Sequence, residues 1–136
     1  MTALLDTGFL LAVLDENDDL HAACVAALLA EPQPILPDVV LPELAYMIIR
    51  ELGYDTLTQF LRSILAGEVP VERSTLSDLE RSIEIMNKYR DSRIDFVDSV
   101  IAAVAERLEI QTILTVDRRH FQLLRPKKLP HFIVIP

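Results

Sequence analysis

The chain has 136 residues, 51% of them hydrophobic and 25% charged, proportions that exclude a disordered protein. This length suits a single domain, expected over residues 1–136, that buries roughly two thirds of its unfolded surface without disulfide staples. Thirteen Lys and Arg face 21 Asp and Glu, a net charge of −8, which at face value speaks against nucleic acid, since such partners select a basic footprint.

The average hides an asymmetry. Residues 1–87 hold 4 basic and 15 acidic side chains, and residues 88–136 hold 9 and 6, so −11 and +3 make up the −8. The longest stretch free of Asp, Glu, Lys and Arg is Leu20–Ala30, well short of the roughly 20 apolar residues of a membrane span. Asp6 arrives before any apolar run that follows a basic segment, so no signal peptide is expected and the cytoplasm is the default location. The single Cys24 sits in an Ala/Leu-rich helical pattern and reads as a small core residue.

In chain order, Ala3-Leu4-Leu5 is a short apolar strand stopped by Asp6, and Gly8 to Leu14 a short helix. After the polar loop Asp15–Asp19, Asp18 or Asp19 is expected to cap a helix running to Ala30, which Pro32 and Pro34 break. Ile35-Leu36 is a second strand. Pro42 suits the first turn of a helix that Gly53 ends, and Asp55 is expected to cap the next, which closes at Gly67. Val69-Pro70-Val71 reads as an edge strand, because proline cannot donate to a ladder.

Ser77 and Glu80 form a capping-box pattern ahead of Ile83, Ile85 and Met86. A helix over Phe96 to Leu108 places Val97, Val100, Ile101, Val104 and Leu108 on one face. Thr112–Thr115 is the clearest strand, and His131 to Ile135 the last. Short apolar strands alternating with helices imply a mostly parallel sheet covered on both faces. Ligands in such folds bind beyond the carboxyl ends of the strands.

Acids gather at that edge. Asp6 ends the first strand and Asp117 follows Leu114-Thr115-Val116, while Glu43 and Asp98 begin helices that start at the same edge. At ~5 Å and an effective dielectric of ~20, each pair of negative charges costs about 3 kcal/mol. The six pairs among four carboxylates would cost roughly 20 kcal/mol, against a net stability of about 7–20 kcal/mol for a chain this long. The cluster must then be partly protonated or neutralised by a cation, for which hard oxygen donors select Mg²⁺ or Mn²⁺, the ions of phosphoryl chemistry. Taken singly each acid has a local alternative: Asp95, for instance, reads as the cap of the helix that Asp98 enters. His120, beside Arg118 and Arg119, reads as a substrate contact or a solvated turn, and Thr7 and Thr115 as carboxylate-orienting or local backbone partners.

The pieces L-L-D-T-G with Asp6, V-L-P-E-L-A-Y with Glu43, F-V-D-S-V-I-A-A-V-A-E-R-L with Asp98 and I-L-T-V-D-R-R-H-F with Asp117 occur in that order. In these the chain resembles the PIN domain family, and within it the VapC-type toxins of toxin–antitoxin pairs. The resemblance implies a three-layer α/β/α fold and a Mg²⁺- or Mn²⁺-dependent ribonuclease. Asp6, Glu43, Asp98 and Asp117 then correspond to its catalytic acids, with Asp6, Asp98 and Asp117 holding metal. It also implies a cognate antitoxin and a homodimer. Two rival readings are a PIN-like module that binds RNA or a partner without cutting it, and a phospho-acceptor receiver domain. The receiver typically pairs acids after its first strand and places a lysine after a late one, features that Asp6 alone and the Ile133–Pro136 end do not supply.

Overall fold

The computed structural model describes residues 2–136. Five strands, β1 (Ala3–Leu5), β2 (Pro34–Pro37), β3 (Val71–Glu72), β4 (Thr112–Leu114) and β5 (Ile133–Ile135), form one sheet in the order β3-β2-β1-β4-β5. Every neighbouring pair is parallel, with Leu4 opposite both Ile35 and Ile113. The helices are α1 (Thr7–Leu14), α2 (His21–Ala30), α3 (Val40–Leu52), α4 (Tyr54–Leu65), α5 (Leu76–Lys88), α6 (Phe96–Leu108) and α7 (Arg118–Leu123).

This is the α/β/α arrangement that the apolar strands imply. Each residue of β1 and β4 is buried, which requires helices over both faces. Helices α1 to α4 pack against one another, and α5 packs along α6. The core runs from Leu4, Leu5 and Phe9 through Leu44, Ile48 and Ile101 to Phe121, all fully buried. Cys24 is a buried free thiol, as its helical pattern implies.

The topology also sets the site. From β1 the chain steps outward to β2 and β3, then returns past β1 to β4 and β5. The strand order therefore reverses between β1 and β4, and the connections leaving those two strands diverge. A crevice opens at that point, at the carboxyl ends of the strands.

Several local starts differ from the sequence reading. Helix α2 begins after Leu20 without a side-chain cap. Asp18 acts earlier: its carboxylate accepts the Leu20 N–H at 2.8 Å and its carbonyl the His21 N–H at 3.0 Å. That is an Asx turn, which orients the chain before the helix begins. Asp55 lies inside the first turn of α4, where the helix dipole favours it. Gly53 alone separates α3 from α4, and its φ of +95° is a conformation that suits glycine.

The capping box of α5 is Thr75 with Asp78, two residues ahead of Ser77 and Glu80. Thr75 Oγ1 accepts the Asp78 N–H at 3.1 Å, and Asp78 accepts the Thr75 N–H at 2.9 Å. The tertiary partner decides this register, since Asp78 is also held by Arg107 of α6 at 3.0 Å. Finally, Arg118–Leu123 is helical where the sequence suggested only a turn; Phe121 is buried and meets Phe132 edge-on, ring centres 6.1 Å apart.

Candidate active site

The crevice between β1 and β4 is a cleft of about 260 Å³, lined by Asp6, Thr7, Glu43, Asp95, Asp98 and Asp117 together with Gly8, Met47 and Val116. All four sequence-nominated acids line it, each delivered by a different element. Asp6 ends β1 and caps α1, Glu43 lies in the first turn of α3, Asp98 in the first turn of α6, and Asp117 caps α7 after β4. Asp95 joins them as a fifth. It does cap α6, accepting the Asp98 N–H at 2.8 Å, and it also faces the cleft.

The acids form two tiers. Asp6 and Asp98 are 5% and 4% exposed, whereas Glu43 and Asp95 are open to solvent. The inner pair is held by hydrogen bonds. Asp6 accepts the Thr7 N–H at 2.7 Å on one oxygen and the Thr115 hydroxyl at 2.6 Å on the other. Thr115 Oγ1 in turn accepts the Asp117 N–H at 2.9 Å, so one threonine sets two of the acids. His120 Nδ1 lies 2.7 Å from Asp98 Oδ2 and 3.0 Å from Asp117 Oδ2. The imidazole thus bridges α6 and α7 inside the site, and the solvated-turn reading of His120 does not apply.

The electrostatics follow from burial. Asp6 is pushed up to about 6, first by desolvation, with the charges of Asp117 and Asp95 adding to it and the bonds from Thr115 and Thr7 opposing it. Asp98 is pushed up to about 7, again first by desolvation and then by the charge of Asp6, against the His120 bond. Burial works against the charge of His120, but the Asp98 bond and the charges of Asp117, Asp98 and Asp95 outweigh it and raise its pKa. Across their 2.7 Å contact Asp98 thus raises the pKa of His120, while the His120 bond opposes the rise of Asp98.

The donor set fits a divalent cation. Carboxylate oxygens of Asp95 and Asp98 and a ring nitrogen of His120 lie within 4.8 Å of one another, a spacing one ion can span. The Asp6 carboxylate, oriented on both oxygens, is a typical hard ligand with an ordered outer shell. Thr7 supplies an independent sign. Its Oγ1 is buried beside the acids without a hydrogen-bond partner, and such an orphan costs about 1–3 kcal/mol. A hydrated cation in the cleft would give it one.

Sequence reasoning left two members undecided. His120 stood in a basic turn with nothing to indicate its orientation; an imidazole three residues after the Asp117 cap was the available signal. Asp95 reads from the sequence mainly as a cap, with a part in the site left open; a cap three residues before a site acid lies close to that acid.

A five-stranded parallel sheet with acids converging where β1 and β4 diverge defines a class. The PIN domain model matches residues 3–125, and the chain belongs to the PIN domain family. The receiver reading falls with that finding. The chain is 35% identical over 136 residues to Ribonuclease VapC26 of Mycobacterium tuberculosis (strain ATCC 25618 / H37Rv), covering 98% of this chain and 99% of that one. Among solved structures it is similar in fold to Mycobacterium tuberculosis VapC20, a sarcin–ricin loop cleaving toxin, with a TM-score of 0.76, 23% identity, and 82% and 86% of the two chains covered. It is also similar to VapBC2 of Rickettsia felis bound to a fragment of its promoter DNA, with a TM-score of 0.69, 18% identity, and 98% and 97% covered.

Proposed function

We propose that the protein is a divalent-metal-dependent ribonuclease and the toxin of a toxin–antitoxin pair. One observation carries the reading: acids from four separate elements line a single cleft at the switch point of the sheet. Its similarity to a ribonuclease over nearly the whole chain supports the reaction class. Similarity in fold to toxin–antitoxin complexes supports an antitoxin partner. No helix of the described residues is long and apolar enough to cross a membrane, which accords with action on cytoplasmic RNA. A homodimer is the expected assembly.

Asp6, Asp98 and Asp117 would hold Mg²⁺ or Mn²⁺, directly or through water, and Glu43 would hold a second ion or orient the attacking water. When bound, the metal lowers the pKa of a water and neutralises charge on the phosphate oxygens. The chain's own residues do the positioning. Thr115 and the Thr7 N–H fix both oxygens of Asp6. His120 Nδ1 engages one oxygen of Asp98 and one of Asp117; the other Asp98 oxygen remains for the ion, while the other Asp117 oxygen accepts the His120 backbone N–H at 3.5 Å. The Thr7 hydroxyl is placed to accept from, or donate to, a water in the cleft. Arg118 and Arg119 follow Asp117 directly and would contact flanking phosphates, Arg118 on leaving the Pro136 oxygen to which it donates here.

The test is incubation of the purified protein with total RNA, with Mn²⁺ or Mg²⁺ and with chelator. Cleavage is expected with metal only, and not in Asp98→Asn. A protein that binds RNA without cutting it under any of these ions would instead support the binding-module reading.

A further inference from the structure

Asp95, Asp98 and His120 stand apart from the other acids of the cleft. One carboxylate oxygen of each aspartate and one ring nitrogen of His120 lie within 4.8 Å of one another. Asp6, Glu43 and Asp117 line the same cleft but fall outside that group. His120 Nδ1 faces Asp98 Oδ2 at 2.7 Å and Asp117 Oδ2 at 3.0 Å. Metal–ligand bonds of about 2.1 Å set at right angles place neighbouring donors about 3 Å apart. The imidazole and its carboxylates therefore already stand at the spacing of donors on one ion. Two elements fix them: Asp95 caps α6, Asp98 lies in its first turn, and His120 belongs to α7. They also grade inward, with Asp95 exposed, His120 half-buried and Asp98 buried, which leaves an approach for a hydrated ion. Thr7 Oγ1, buried and without a partner in the same cleft, is an independent sign of a polar occupant. The other two histidines lie elsewhere: His21 Nδ1 meets the Ala12 carbonyl at 2.9 Å, and His131 precedes β5.

We propose that Asp95, Asp98 and His120 form a second cation seat, with His120 Nδ1 as a ligand and the ion in the place of the hydrogen that now joins His120 to Asp98. Asp98 then bridges: Oδ2 serves this seat, and its other oxygen serves the ion on Asp6 and Asp117. Glu43 is left to the attacking water. The nitrogen donor decides which ion enters. Mg²⁺ dehydrates reluctantly and takes oxygen ligands, whereas imidazole suits transition ions, and affinity for mixed nitrogen and oxygen sites rises from Mn²⁺ to Zn²⁺. The second seat therefore takes Mn²⁺, and Zn²⁺ more tightly, and leaves Mg²⁺ to the all-oxygen seat. The assignment deepens the metal-dependent reading given above and rests on it.

The experiment uses the metal-free full chain loaded with Mn²⁺. Pulsed electron paramagnetic resonance is expected to show coupling of Mn²⁺ to a directly bound nitrogen, altered by ¹⁵N-histidine labelling and lost in His120→Gln. Titration is expected to show a second Mn²⁺ bound after the first, displaced by Zn²⁺ and not by Mg²⁺. His120→Gln or Asp95→Asn is expected to weaken that second binding at least about tenfold. Asp95→Asn keeps a capping side chain on α6, so it carries the test if His120→Gln lowers the metal-free melting temperature. Mn²⁺ bound without nitrogen coupling would overturn the inference, since a histidine that only positions Asp98 gives weaker binding in His120→Gln but no coupling in the wild type. Coupling that survives His120→Gln would overturn it too, by placing the nitrogen elsewhere. In either case metal-dependent cleavage by the wild type leaves the ribonuclease reading standing. Wild-type protein that binds no Mn²⁺ and cuts no RNA would fell both together.

Discussion

Two acid-rich regions of this molecule stand in contrast. Between α5 and α6, Asp78, Glu84 and Glu106 meet Arg81, Arg107 and Lys127 at 2.7–3.3 Å. At the ends of β1 and β4, Asp6, Asp95, Asp98, Asp117 and Glu43 meet no Lys or Arg among the described residues, and His120 meets Asp98 and Asp117. Burial alone does not separate them, because Asp78, Asp6 and Asp98 are all nearly inaccessible. Partners do. Burial pushes Asp78 up, but the Arg107 bonds, the Thr75 N–H and the arginine charge outweigh it and leave its pKa lowered, whereas burial of Asp6 and Asp98 goes unopposed by any fixed cation and raises them to about 6 and about 7. The first region is charge used to hold helices together. The second is charge held ready for a ligand.

The comparison can be broken from either side. The largest effect belongs to the inner acids: Asp6→Asn or Asp98→Asn is expected to lower metal-dependent cleavage by at least about 100-fold. The same substitutions should leave the metal-free melting temperature unchanged or higher, since each removes repulsion. In the paired region the signs reverse. Arg107→Met leaves Asp78 buried without its cation, at a cost of about 2–3 kcal/mol, below the full penalty for a buried pair because Arg107 is partly solvated. Urea denaturation would measure that loss, and cleavage by the folded fraction should not change.

Acidity offers a second way in. The folded values of Asp6 and Asp98 lie above those of the unfolded chain, so the native state holds more protons. Metal-free stability should therefore fall as pH rises from about 4 to about 7. His120, also raised, acts in the same direction. Asp78 is depressed, so its contribution is present above the unfolded value and is lost on acidification. Added Mn²⁺ should reverse the decline toward pH 7, and melting curves at pH 5 and 7.5, with metal and with chelator, would show it.

Smaller effects refine the picture. Thr115→Val removes the hydroxyl that fixes Asp6 and receives the Asp117 N–H, and is expected to weaken Mn²⁺ binding roughly tenfold. Thr75→Ala removes the α5 cap and is expected to cost about 1 kcal/mol without touching activity.

Much of this was legible in the residues because short-range physics decided it. Apolar triplets such as Ala3-Leu4-Leu5 are strands stopped by an acid, and parallel topology brings strand ends and helix starts to one edge. The four acids could be nominated for that reason. What long-range packing decides was not legible. Thr75 rather than Ser77 caps α5 because Arg107, 29 residues beyond Asp78, anchors the other half of the box. Helix α7 forms where only a turn was expected because Phe121 finds Phe132 across the fold. His120 enters the site because α7 turns it onto Asp98, 22 residues earlier. The charge of −8 also reads differently now: five acids sit in one cleft, and among the described residues seven of the nine basic side chains without an acidic partner lie in the last 49 residues.

The most direct test of the central claim, that the unpaired cleft is built for a divalent cation, is calorimetric titration of the metal-free protein with Mn²⁺ at pH 7 in buffers of different ionisation enthalpy. The account predicts saturable binding with release of up to about one proton, because Asp98, raised to about 7, is partly protonated there and has to be deprotonated to bind metal, and loss of that binding in Asp98→Asn. Absence of saturable binding, or binding unchanged in both Asp6→Asn and Asp98→Asn, would contradict it.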